Sequence, residues 1–170
     1  MGSRVSFAAP LPLADHHDLS DFDSGVAQLD DWLKRRARAN QAAGASRCYV
    51  LCDGAKVIGY YALASGNVRL ADAPGRFRRN MPDFIPVILL GRLAIDKTCQ
   101  GKGMGRALIR DAALRTLQAA ELVGVRGLLV HAMSEEARAF YVAVGLEPSP
   151  LDPMMLMATL DDMKKTVGLS

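Results

Sequence analysis

The sequence predicts a mixed α/β fold arranged as one domain over residues 1–170, and three observations carry that prediction. Two β-rich segments meet at Asp53-Gly54, and a strand, helix, strand, helix alternation fills the second half. A composition of 50% hydrophobic and 23% charged residues matches an ordinary globular core. No internal repeat, low-complexity tract or long Gly/Ser/Pro linker divides the chain.

After a short opening strand and turn, Ser24 is placed to cap a helix from about Val26 to Ala42. Val26, Leu29, Leu33 and Ala37 recur at helical spacing with Trp32 at the stripe's edge, leaving Lys34, Arg35 and Arg38 on the wet face. Arg47–Cys52 and Lys56–Ser65 read as strands joined by Asp53-Gly54 into an antiparallel hairpin, because that pair tolerates the positive φ of the favoured tight turn. A polar stretch rich in Gly, Pro and Arg, Ala71–Asp83, leads to Ile85–Ile95, a long buried strand whose Pro86 argues for an edge or irregular start. From Gly103 to Val123 a helix presents Gly105, Leu108, Ile109, Ala112, Ala113, Ala119, Ala120 and Val123 to a sheet, with Arg106, Arg110, Asp111, Arg115 and Gln118 facing away. Leu128–Met133 is a further buried strand. Ser134 then caps a helix with inner face Ala137, Phe140, Tyr141 and Val144, stopped by Gly145. Met154–Leu160 completes the sheet, and the alternation implies at least one right-handed parallel crossover.

Ile85–Leu90 is too short an apolar run to span a bilayer, and the N-terminus carries no secretory pattern, so the expected setting is cytoplasmic, away from membranes. Cys48 and Cys52 on one strand would stand roughly 13 Å apart, too far to bridge. Neither they nor His16, His17 and His131 form a metal-ligand pattern, and no metal is expected; His131 reads as a core histidine. A net charge of +3 is mild, but positive residues cluster at Lys34–Arg38 and Arg76–Arg79. On charge alone a solvated helix face and loop are the simpler reading, and a polyanionic partner is the alternative.

The segment with most chemical content is Arg92–Arg106, a strand passing through Gln100-Gly101-Lys102-Gly103-Met104-Gly105-Arg106 into a helix N-terminus. Unpaired N–H groups of a first helical turn, the positive end of the helix dipole and glycines without Cβ atoms make such a junction an anion site, and Lys102 and Arg106 add charge beside it. A Walker loop is excluded because no Ser/Thr follows Lys102 and the earlier glycine is missing. A dinucleotide fingerprint is excluded by its spacing and by the loop's late position in the chain.

Gln100-x-x-Gly103-x-Gly105 after Leu93-Ala94-Ile95-Asp96, followed by Ser134–Leu146 with its Phe-Tyr-x-x-x-Gly ending, resembles the two hallmark segments of the GNAT acyltransferase superfamily, in their order and separation. The resemblance implies a mostly antiparallel mixed sheet splayed between its fourth and fifth strands, with helices on both faces. It further implies that Gln100 and the backbone from Gly101 to Arg106 hold the coenzyme A pyrophosphate, and that Leu93, Ala94 and Ile95 pair with the pantetheine arm of acetyl-CoA. Attack of an amine on a thioester develops an oxyanion and then expels a thiolate. An N–H near Ala94 or Ile95 would serve the oxygen. Tyr141, which on periodicity alone is a core tyrosine, becomes on the resemblance the group at the sulfur. Asp96 and Glu135 remain open as general bases, although an α-amine with a depressed pKa needs none.

Longer stretches, Leu29–Lys34, Asn40–Gly44, Arg78–Asp83, Ile85–Leu89, Arg92–Asp96 and Val130–Ala137, resemble the TacT/AtaT class of toxin acetyltransferases. That class acetylates the α-amine of aminoacyl-tRNA and so halts translation, works as a homodimer, and is neutralised by a ribbon-helix-helix antitoxin. The resemblance gives the basic clusters a purpose, with Lys34, Arg35, Arg38, Arg78, Arg79 and Arg92 as candidates for holding tRNA. Arg92 reads equally as an ordinary strand-edge arginine. Leu146 departs from the aromatic often found there, and the tail from Glu147 to Ser170 matches little. Two other readings share the glycine loop: an acetyltransferase for small-molecule or protein amines, and a non-catalytic acyl-CoA-binding module.

Overall fold

The computed structural model describes residues 9–168, which fall into two units. One consists of the chain up to Ala62 together with Arg92–Asp111; the other consists of Leu63–Gly91 and the chain from Ala112 onward. The strands are β1 (Leu11–Pro12), β2 (Arg47–Asp53), β3 (Lys56–Arg69), β4 (Phe84–Ile95), β5 (Gly127–His131), β6 (Glu147–Pro148) and β7 (Met155–Thr159). The helices are α1 (Ala27–Arg35), α2 (Ala37–Ala42), α3 (Gly75–Arg78), α4 (Met104–Ala120), α5 (Glu135–Ala143) and α6 (Leu160–Thr166). Among the described residues the strands hydrogen-bond in the order β1-β2-β3-β4-β5-β7-β6. The expected parallel pair is β4 with β5, Ile88–Leu90 lying opposite Leu128–Val130, and the chain between them forms α4. β1–β2, β5–β7 and β6–β7 are antiparallel. β4 runs on past its ladder with β5 to Ile95, and it alternates in burial instead of being buried throughout.

In the first unit the apolar stripe buries Leu29, Trp32, Leu33 and Ala37 in one cluster with Phe22, Val50 and Tyr60. The stripe spans a break that periodicity does not register. Arg36 (φ −121°, ψ −31°) interrupts the helix, and a new turn starts at Ala37. Ser24 does not cap it; the N-cap position belongs to Val26, which is 43% exposed and so leaves the stripe. The Ser24 hydroxyl instead accepts from the Val26 N–H (3.2 Å) and donates to the buried Asp30 carboxylate (2.7 Å). The hairpin turn falls on Gly54 and Ala55, one residue later than expected, with φ +64° at Gly54. Cys48 and Cys52 lie on β2 as free thiols, and burial pushes Cys48 up to about 12, which leaves it unreactive.

In the second unit Phe77 of α3, within the stretch read as polar, joins Val68, Ile85, Val87, Leu129 and Met157 in a buried cluster. β5 starts at Gly127, where a Cβ would stand 2.0 Å from the Ala158 carbonyl oxygen. It ends at His131, whose exposure at the strand's last position corrects the core-histidine reading. α4 stops at Ala120, so Val123 lies beyond it and is 60% exposed, not part of the inner face. Ser134 caps α5 as expected, accepting from the Ala137 N–H at 3.1 Å, and Gly145 (φ +107°) ends it while the Leu146 N–H reaches back to the Tyr141 carbonyl. The tail forms β6 and α6, neither read from the sequence; the capping box between Thr159 and Asp162 is the signal that reveals α6. No helix among the described residues is long and apolar enough to cross a membrane.

Candidate active site

The first unit holds the end of β4 and the glycine loop. Leu93 is half-buried and Ala94 and Ile95 are buried, while Asp96 leaves the strand by donating its N–H to the Ile58 carbonyl at 2.8 Å. The Asp96 carboxylate caps a short 3-10 turn, Lys97–Cys99, accepting from the Thr98 N–H (3.1 Å) and hydroxyl (2.5 Å), and it also accepts from the Asp23 N–H (2.9 Å). Burial pulls its pKa up, but the hydrogen bonds from Thr98 and Asp23 and the charge of Lys56 outweigh that and hold it below the usual carboxylate range. A carboxylate with that many donors is a brace for the loop, and it is a poor general base. Lys97 closes the same corner with an ion pair to Asp23 at 2.8 Å and an N–H donated to the Asp23 carbonyl.

Gln100 is spent locally. Its amide nitrogen donates to the carbonyls of Ser24 and Ile95, both at 2.9 Å, so the side chain ties the loop to the strand end and to the segment before α1. Gly101 (φ +78°) and Gly103 (φ +82°) take a backbone that L side chains rarely adopt, and they turn the chain into α4. The first amide to bond back into the helix is that of Ala107, to the Gly103 carbonyl, so the N–H groups of the preceding turn point out of the helix end. Met104 is buried and anchors that end; Lys102 and Arg106 are exposed beside it, and Gly105 lies in the first turn. Gly59 on β3 permits this arrangement, since a Cβ there would stand 2.9 Å from the Ile95 side chain and 3.5 Å from that of Leu108. Orphan amides, the helix dipole and two exposed cations together suit a diphosphate.

Four of the six basic candidates also belong to this unit. Lys34 and Arg35 are exposed on the last turn of α1. Arg38 is exposed too, but one guanidinium nitrogen donates to the carbonyls of Ala14 (3.1 Å), Asp15 (3.4 Å) and His17 (2.7 Å), so it fastens a loop. Arg92 is not free. Its guanidinium carbon lies 4.4 Å from the centroid of the Trp32 ring, which itself stacks on Tyr60 at 5.9 Å, and the Tyr60 hydroxyl donates to the Leu29 carbonyl at 2.6 Å. Sequence reasoning missed that stack and the ties from Asp96 to Asp23 and from Gln100 to Ser24, because their partners are far apart along the chain.

The second unit holds Tyr141, Arg78 and Arg79. Tyr141 is buried on α5 with its ring 5.3 Å from that of Phe140, and burial pushes its hydroxyl up to about 12, so it stays protonated across the physiological range. Arg78 ends α3 and Arg79 follows it, both exposed, whereas Arg76 of the same run pairs with Asp162. Glu135 is exposed at the start of α5, 3.9 Å from Arg138. Among the described residues no three His, Cys, Asp or Glu side chains gather as a metal site would require.

A family model described as an acetyltransferase (GNAT) domain matches residues 44–147. A protein named tRNA-acetylating toxin from Mycobacterium tuberculosis (strain ATCC 25618 / H37Rv) is 52% identical over 162 residues, covering 95% of this chain and 98% of its own. Among solved structures, AtaT complexed with acetyl-methionyl-tRNAfMet has a TM-score of 0.85 at 30% identity, over 95% of this chain and 97% of that one. A tyrosine-to-phenylalanine mutant of AtaT, bound to the C-terminus of the antitoxin AtaR and acetyl-CoA, has a TM-score of 0.79 at 29% identity, over 92% and 96%. Taken with the glycine loop, the family match over more than half its length makes this chain a member of the GNAT acetyltransferase family.

Proposed function

We propose that this protein transfers the acetyl group of acetyl-CoA to the α-amine of aminoacyl-tRNA, ending that molecule's use in translation. The observation that carries the proposal is the similarity, along nearly the whole chain, to a relative named for acetylating tRNA. Acetyl-CoA supplies an activated thioester; the chain's residues position it and manage charge. The amides of residues 101–106 hold the diphosphate, with Lys102 and Arg106 alongside, while Gln100 and Asp96 keep the loop in shape. Leu93, Ala94 and Ile95, where β4 outruns its ladder with β5, offer backbone groups to the pantetheine amides and an N–H to the developing oxyanion.

Tyr141 donates its hydroxyl proton toward the departing sulfur. A phenol pushed up to about 12 is a weaker acid than a thiol near 8.5, so the hydrogen bond stabilises thiolate and the proton need not transfer fully. No side chain is assigned as general base, because the α-amine of an aminoacyl ester is partly neutral at pH 7. Arg78 and Arg79, with Lys34 and Arg35, take phosphates of the tRNA; Arg92 reaches it only by leaving Trp32, and Arg38 contributes from a guanidinium already engaged. A cytoplasmic setting, a homodimer and a ribbon-helix-helix antitoxin complete the proposal.

The test is thiol release from acetyl-CoA with charged tRNA, uncharged tRNA and a polyamine, followed by mass spectrometry of the aminoacyl group. Release with charged tRNA alone and an added acetyl on the amino acid support the proposal. Release with the polyamine alone transfers the chain to the small-amine acetyltransferases, and binding without release makes it an acyl-CoA-binding module.

A further inference from the structure

Phe84 opens β4 with 60% of its surface exposed, while its neighbour Ile85 is fully buried. The ring lines a cleft of about 500 Å³ in the second unit, together with Arg69, Leu70, Ala71, Arg78 and Asp83. A volume of that order suits a small planar group. The walls are held together where the Leu70 N–H donates to the Asp83 carbonyl at 2.8 Å. Arg69 and Arg78 are exposed, and among the described residues neither guanidinium has a hydrogen bond or ion pair. Arg76 and Arg126 nearby in sequence or space are committed, the first to Asp162 and the second to the carbonyls of Phe77 and Arg76.

An uncovered aromatic face between two free guanidiniums and a carboxylate has a specific chemical counterpart. We infer that this cleft seats an unpaired nucleotide of the RNA substrate, its base stacked on Phe84 and its flanking phosphates taken by Arg69 and Arg78. Stacking on a phenyl ring tolerates any base, guanidinium forks match phosphate oxygens, and the Asp83 carboxylate favours a base with an exocyclic amine. A second copy of this chain is disfavoured as occupant, because it would bring the same two positive charges against themselves. The inference rests on the aminoacyl-tRNA assignment above and deepens it, since Phe84, Arg69 and Asp83 lie outside the residues assigned there.

The experiment compares wild type, Phe84→Leu, Phe84→Tyr and Arg69→Gln for KM on charged tRNA across a salt series, with melting curves as the folding control. Phe84→Leu should raise KM roughly 5- to 150-fold, the size of one lost base stack, while Phe84→Tyr stays near wild type. Because stacking releases no counterions, Phe84→Leu should keep the wild-type salt slope, whereas Arg69→Gln should flatten it. Wild-type KM in Phe84→Leu overturns the inference, as does loss of self-association in that variant by sedimentation, which would give the ring to a second copy. A wild-type protein inert on charged tRNA refutes the substrate assignment instead, so the two failures are separable.

Discussion

Replacing Gly103 with alanine tests the proposed anion grip within the glycine loop. Gly103 has φ +82°, and a Cβ added there meets nothing within 4 Å, so the cost is purely conformational. An L residue in that region costs roughly 1–2 kcal/mol. The position is exposed and nothing packs over it, so the free loop in the variant should relax to negative φ and turn its amides away. Binding must then restore the strained form, which weakens acetyl-CoA by about 5- to 30-fold, and by more if an amide contact is lost altogether. Gly44→Ala is the matched control, for Gly44 has φ +79° and equally open surroundings but sits after α2. It should lower the melting temperature by about 2–8 °C without touching affinity. Calorimetry with acetyl-CoA on all three proteins decides the matter: wild-type affinity in Gly103→Ala refutes the diphosphate site.

Tyr141→Phe should lower kcat by about 10²-fold while leaving acetyl-CoA affinity alone, measured by thiol release. Since the hydroxyl is pushed up to about 12, it remains a donor until strongly alkaline pH, and a falling limb below about pH 10 that vanishes in Tyr141→Phe would contradict its role. Asp96→Asn should cost roughly 1–3 kcal/mol of stability in denaturant melts by replacing a charged acceptor. Because the folded pKa of Asp96 is depressed, its contribution is complete above the ordinary carboxylate range and is lost as pH falls through the folded value; the variant should lack that part of the acid transition. Arg78→Ala with Arg79→Ala should raise KM for charged tRNA and reduce the salt slope by about two, with acetyl-CoA binding as the unaffected comparison.

The glycine loop was legible because everything that defines it is local: strand, three glycines and helix start lie within a few residues. Its brace was not. The Asp96 carboxylate and the Asp23 N–H are 73 residues apart, and no pattern in Asp23-Ser24-Gly25 points to Gln100. Gln100 also holds the loop in a way its motif does not show, since its amide nitrogen donates to two backbone carbonyls. Helix edges failed where short polar side chains made competing bonds, as when Ser24 chose Asp30 over the helix amides. The spacing of Val123 continues the α4 stripe and so points it inward, yet the helix ends three residues earlier. Phe77 is hidden among arginines because a four-residue helix is too short to show a period.

The arginine lying on Trp32 also makes the protein its own optical reporter. Trp32 is the only indole in the sequence, so ultraviolet emission excited at long wavelength comes from one place, against a guanidinium 4.4 Å above it. A polyanion that draws Arg92 away alters that emission without any dye, and the rate of the change times the encounter in a rapid-mixing trace.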